Sequence, residues 1–297
     1  MLEAALIGAR LLHYASLTVL FGAALFPFYA FPWREPAPTA VMSAVKRLLL
    51  AAAATALISG VLWFAATAAV MSGSLSDGLS RDVLVTVLLD TPFGHLWAVR
   101  LAVFVVAVAP GIVWLDSSGR GWWMTAGAAV LLASLALTGH AQTHEGDVGR
   151  LHEAADALHL LAAGTWLGGL AGLGLMGAHR DGETAAARAL ARFSGAGYAA
   201  VAVLLATGVA NSAALLSGPA DLVATAYGRL LALKIGLFLV MLALAGVNRL
   251  VLVPGLARDE ARAQAMVRLR RHVAAEQVLG LAVLLSVAVL GTLDPGA

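Results

Sequence analysis

The stretch His152-Glu153-Ala154-Ala155-Asp156-Ala157-Leu158-His159 runs on into Leu160-Leu161-Ala162-Ala163-Gly164-Thr165-Trp166-Leu167-Gly168-Gly169. On a helix, spacings of four and three place His152, Asp156 and His159 on one face. No charge follows until after Met176, so three titratable groups enter a membrane-length apolar helix from one end. An ionisable side chain in hydrocarbon is costly and marks function by default. The alternative is that His152 is simply an interfacial residue and His159 a hydrogen-bonded core histidine.

The rest of the chain fits a membrane setting. Of 297 residues, 61% are hydrophobic and only 12% charged, and the mean hydropathy of +0.88 excludes an ordinary soluble domain. The apolar segments approach the ~20 residues that a spanning helix needs. They lack the alternation of a β-barrel, so the fold class is all-α, a polytopic helical bundle. There is no cysteine, which removes disulfides, thiolate metal sites and covalent haem attachment. The net charge of +2 comes without a basic patch, so no nucleic-acid partner is expected; the lipid bilayer is the solvent.

Hydropathy predicts eight spans, near 4–31, 46–72, 93–115, 121–143, 152–178, 191–216, 228–253 and 272–292. The first is expected to be a span and not a removable signal. Ser72 to Ser80 reads as a Gly/Ser loop, and Val83 to Leu89 as a short surface helix. One set of connections holds thirteen basic residues: Arg34, Lys46, Arg47, Arg120, Arg180, Arg188, Arg192, Arg249, Arg258, Arg262, Arg268, Arg270 and Arg271. The other holds three, Arg81, Arg150 and Arg229. The positive-inside rule then puts both termini outside, with acidic loops on that face. Arg10, Arg100, Lys234 and Asp156 remain inside spans near outer ends, and Glu276 near the inner end of span eight. Asn248 or Arg249 is the expected partner of Glu276.

The two halves match. Thr91-Pro92-Phe93-Gly94 leads to Arg100 and Phe104; Thr225-Ala226-Tyr227-Gly228 leads to Lys234 and Phe238, at identical spacing. His13 precedes Gly22 by nine residues, as His159 precedes Gly168, and Gly60 parallels Gly208. The expectation is two parallel four-helix units, residues 1–148 and 149–297, with His13 and His159 facing each other across a pseudo-twofold axis.

Eight histidines are present, and His13, His95, His140, His144, His152 and His159 collect toward the outer half. Imidazole suits copper, zinc, iron and nickel. His13, His140 and His159 are expected to converge as a metal site, with His144 and His152 nearer its mouth. Asp156, Arg100, Lys234, Trp166 and Glu276 are expected to support or gate it. His179 and His272 lie near arginines at inner ends and receive no chemistry.

At His159 to Gly169, at Gly139-His140-Ala141, and above all in the C-terminal third, the chain resembles the copper resistance protein D (CopD) family of bacterial inner-membrane proteins. There Tyr227-Gly228 to Lys234, Val247-Asn248-Arg249 with Pro254, Arg271 to Glu276 with Leu279-Gly280, and Leu290-Gly291-Thr292 with Pro295 carry the resemblance. It implies copper homeostasis: a non-enzymatic protein that moves Cu+ or Cu2+ across the inner membrane toward the cytoplasm, supplied by a small periplasmic carrier of the CopC type. Two other classes stay open. One is a membrane cytochrome or haem-dependent oxidoreductase, with His13 and His140, or His140 and His159, as axial ligands of haem b. The other is a structural or sensory membrane partner.

Overall fold

The computed structural model describes residues 2–31, 39–115, 121–138, 146–178, 183–256 and 259–294. Among these every regular element is helical. In chain order they are α1 (Leu2–Ala30), α2 (Thr39–Ser72), α3 (Leu75–Gly78), α4 (Arg81–Asp90), α5 (Pro92–Val103), α6 (Ala109–Val113) and α7 (Trp122–Ala133). Then come α8 (Gly146–Ala178), α9 (Glu183–Leu215), α10 (Asp221–Ala224), α11 (Ala226–Val247), α12 (Val253–Leu256) and α13 (Asp259–Leu290). A π-helical turn, Phe104–Val108, joins α5 to α6, and another, Asn248–Leu252, joins α11 to α12. Each precedes a proline by two residues, Pro110 and Pro254. A proline removes one backbone donor and crowds the preceding turn, and the wider π turn accommodates both effects.

Among the described residues, seven helices are long and apolar enough to cross a bilayer. The predicted fourth span differs: its described part is Trp122–Thr138, shorter than the others. Its last five residues, Ser134–Thr138, are 3₁₀-helical. At ~1.5 Å per α residue and ~2.0 Å per 3₁₀ residue the segment still extends about 28 Å, close to a ~30 Å hydrocarbon core. The predicted loop Ser72 to Ser80 also differs, because it holds α3, whose first turn Ser74 caps by accepting from the Asp77 amide. The surface helix expected before span three is present as α4.

α1 is the most enclosed of the spanning helices and packs against α2, α7, α8 and α13. It crosses α8 where Gly22 and Gly168 meet. A Cβ on Gly22 would lie 2.5 Å from Gly168 Cα, so the two backbones touch. Close approach through glycine is the usual way helices pack where lipid removes the hydrophobic drive. One core runs through the bundle, from Leu17, Leu20 and Phe26 of α1 to Met176 of α8 and Leu269 of α13.

The starts of α5 and α11 are built alike. Thr91 accepts from the Gly94 amide at 3.0 Å, and Thr225 from the Gly228 amide at 2.8 Å. These are N-caps that satisfy an orphan donor of the helix start. A side chain on Gly94 would collide with the Val87 carbonyl, and one on Gly228 with the Asp221 carbonyl. Glycine therefore lets α4 fold back on α5, and α10 on α11.

Candidate functional site

In the first half, α1 turns His13 toward α2 and α5, and the ring is buried. Its Nδ1 donates to the Ala56 carbonyl at 3.0 Å, with the Ser59 hydroxyl at 3.1 Å. Its Nε2 accepts from Arg100 Nη2 at 2.6 Å. A guanidinium has only donors, so this contact fixes the tautomer, with the proton on Nδ1. Arg100 is itself held by the Leu131 carbonyl at 3.1 Å, by the Ser134 hydroxyl, and over the Trp97 ring at 4.9 Å. Trp63 and Trp97 flank the imidazole at 5.6 and 5.3 Å. A cavity of about 240 Å³ lies alongside. Both ring nitrogens of His13 are engaged, one by a cation, so this arrangement offers no ligand to a metal ion and no axial bond to a haem.

Around His159 the arrangement is similar but not the same. His159 Nδ1 faces the Thr207 hydroxyl at 2.9 Å, as His13 faces Ser59. Thr207 gives its own proton to the Val203 carbonyl at 2.6 Å, so its oxygen accepts from the imidazole. Gly208 leaves room beside the ring: a Cβ there would be 3.7 Å from His159 Cε1, where one on Gly60 would be 3.2 Å from His13 Cε1. Lys234 interacts electrostatically with His159, occupying the role that Arg100 has toward His13. A hydrogen bond from Arg100 takes the His13 lone pair, whereas His159 makes no bond through Nε2 to a described residue.

His159 borders a cavity of about 790 Å³ between α8, α9, α11 and α13. His152 and Asp156 line it too, together with Arg10, Trp166 and Lys234. The i, i+4, i+7 face expected from the sequence thus opens onto one space. His152 is buried, and Asn211 Nδ2 donates to Asp156 Oδ1 at 3.2 Å. Asp156 also interacts electrostatically with Lys234 and Tyr227. Arg10 is anchored by the Gly291 carbonyl at 2.7 Å and stacks over Trp63 at 5.3 Å. The cavity therefore carries two cationic side chains and one carboxylate among mostly apolar walls.

Of the three histidines expected to converge, His13 and His159 lie among the described residues. His13 and His159 border separate cavities, and among the described residues no group of three or more His, Asp or Glu side chains is placed to hold an ion. His140 and His144 lie outside the described residues. His95 is exposed and bonds the Leu89 carbonyl through Nε2 at 2.6 Å. Glu276 is bonded by Asn248, at 2.6 Å, as the sequence suggested.

Several contributors escaped the sequence. Ser59 and Thr207, which orient the two histidines, are ordinary helix residues in apolar runs; their one signal is that each immediately precedes a matched glycine, Gly60 or Gly208. Arg10, which the sequence places only near an outer end, is 6% exposed and lines the cavity. His272 received no chemistry and is the partner of Asn248, at 2.8 Å.

Comparison with known proteins gives a consistent picture. Residues 1–150 match the family model described as copper resistance protein D-like, N-terminal domain, and residues 187–290 match copper resistance protein D. The chain is 34% identical to Copper resistance protein D of Pseudomonas syringae pv. tomato, covering 97% of this chain and 96% of that one. It is 32% identical to Inner membrane protein YebZ of Escherichia coli K12, over 97% and 98%. Copper transport protein CutJ of Bacillus subtilis is 30% identical over 96% of this chain, which spans 52% of that longer protein. No solved structure matches. None of these names refers to haem, so the cytochrome alternative finds support neither here nor at His13.

Proposed function

The chain belongs to the copper resistance protein D family, and from that premise we propose that it carries copper across the membrane through the cavity of its second half. It is a multi-pass protein of the inner membrane. The observation that carries the proposal is the environment of His159. Its Nδ1 bonds Thr207, and the residue lines the 790 Å³ cavity. A neutral imidazole oriented through one nitrogen is the usual form of a metal-ligating histidine.

His152, Asp156 and His159 then act as successive positions and not as one coordination shell. His152 and His159 are seven residues apart, a rise of about 10 Å, whereas metal–nitrogen bonds are near 2 Å. Copper meets His152 first and reaches His159 one step deeper. Arg10 and Lys234 disfavour a bare cation, so the cavity suits copper that arrives with anionic donors, such as the carboxylates of a CopC-type carrier. His13 is the counterpart that Arg100 keeps closed. Both termini are placed on the periplasmic side by the imbalance of basic residues, with Trp122–Thr138 as a short fourth crossing.

Copper affinity of the detergent-purified protein tests this. His159→Ala is expected to weaken binding by well over tenfold, and Thr207→Val by roughly 10–100-fold, the usual cost of losing a residue that orients a ligand. His13→Ala is expected to leave copper binding intact. Unchanged affinity in His159→Ala, in a protein that still folds, rejects the assignment.

A further inference from the structure

Behind the cavity lies a carboxyl that the copper path does not use. Glu276 of α13 is 1% exposed. Its Oε1 accepts from Asn248 Nδ2 at 2.6 Å, and the Trp166 indole is a neighbouring donor. His272 lies one turn earlier on the same face of α13. It is half-buried, and its Nδ1 donates to Asn248 Oδ1 at 2.8 Å. A single amide thus ties the buried carboxyl to an imidazole beside Arg270 and Arg271, at the charged end of the helix. Asn248 also opens the π-helical turn Asn248–Leu252, and π turns recur at functional sites.

No ion pair reaches Glu276 among the described residues. The charge-bearing groups on the elements around it are few. α13 supplies His272, and the π turn supplies Arg249 next to Asn248. Lys234 of α11 lies fourteen residues before Asn248. α8 has no titratable residue between Leu160 and Gly172, and α12 has none. Arg10 of α1 is held at the other end of α13, on Gly291. Both partners that fix the carboxyl are neutral donors, so no cation sets its charge.

Trp166 belongs to both places: it lines the large cavity and is a neighbouring donor to Glu276, and Gly280, one turn beyond Glu276, lines the same cavity. We propose that Glu276 is a proton-exchange site that gates the floor of the cavity through Trp166. As a carboxylate it accepts from both Asn248 and Trp166 and holds the indole in place. As the acid it turns one oxygen into a donor and keeps fewer acceptor sites, so its hold on Trp166 weakens. One proton is added to a carboxylate oxygen and the same proton is later released; no other bond changes. His272 marks the side on which that proton meets solvent. The gate rests on the cavity being the copper path, but the exchange of the proton is measurable without copper.

The test is infrared difference spectroscopy of the full chain in lipid vesicles, stepping pH with no metal present and then adding Cu+. Wild type is expected to show a protonated-carboxyl band that titrates, that shifts in Trp166→Phe, and that is absent in Glu276→Gln. Cu+ is expected to change the band in wild type, and this response to fall roughly tenfold or more in His159→Ala, a typical scale for coupling between two sites. Glu276→Asp keeps a carboxyl and is expected to keep a shifted band, which separates loss of the acid from loss of the fold. No titrating band assignable to Glu276, or a band indifferent to Trp166→Phe, overturns the proposal. A titrating, Trp166-sensitive band in a protein that fails to bind copper upholds the proton site and rejects the copper path alone.

Discussion

Replacing Gly168 with alanine asks whether α1 and α8 cross with their backbones in contact. The added methyl would lie 2.8 Å from the Gly22 carbonyl carbon and 3.0 Å from its nitrogen, where ordinary contact begins at 3.4 Å. These are backbone atoms, so no side-chain rotation relieves the overlap and the helices must separate. Overpacking of this kind costs about 1–3 kcal/mol, and the crossing falls in the upper part of that range because two rigid backbones are forced apart. Alanine returns about 1 kcal/mol through its better helix propensity. The expected net loss is about 1–2 kcal/mol. Gly236→Ala on α11 is the matched control, since nothing lies within 4 Å of the new methyl; it is expected to gain up to about 1 kcal/mol. Reversible denaturant unfolding in detergent, followed by circular dichroism, compares the two. The double variant Gly22→Ala/Gly168→Ala is expected to cost less than the sum, because the first methyl already opens the crossing. If Gly168→Ala is as stable as Gly236→Ala, α1 and α8 do not pack as described.

Arg100→Met removes the donor to His13, to the Leu131 carbonyl and to Ser134; an unsatisfied buried acceptor costs about 1–3 kcal/mol, so a marked drop in unfolding temperature is expected, without loss of copper binding. Thr225→Val deletes the N-cap of α11 and is expected to cost about 1 kcal/mol, as is Thr91→Val at α5; the same unfolding assay reads both. A reporter that is active only in the cytoplasm, fused after Ala297, is expected to be silent, and activity there would reverse the proposed orientation.

The membrane bundle was legible because hydropathy is a sum over many residues, and the Glu276–Asn248 bond because few polar groups lie at that depth. Helix ends were not. α13 begins at Asp259, although apolar patterning placed a span only from 272. Arg262, Arg268, Arg270 and Arg271 erase the hydropathy signal, yet arginine, alanine and leucine sustain a helix beyond the bilayer. The sequence put His13 and His159 at equivalent depths but could not separate them in function. That difference lies in tertiary reach: the Arg100 guanidinium extends to the His13 ring and bonds it, and the Lys234 ammonium makes no such bond to His159. Spacing alone gives cation and histidine the same positions in both halves.

Copper uptake into sealed vesicles bearing wild-type, His159→Ala or His13→Ala protein tests the central claim most directly. Uptake above that of empty vesicles is expected for wild type and for His13→Ala, and uptake no greater than that of empty vesicles for His159→Ala. Equal uptake by wild type and His159→Ala, or none by wild type, would contradict a copper path through the second-half cavity.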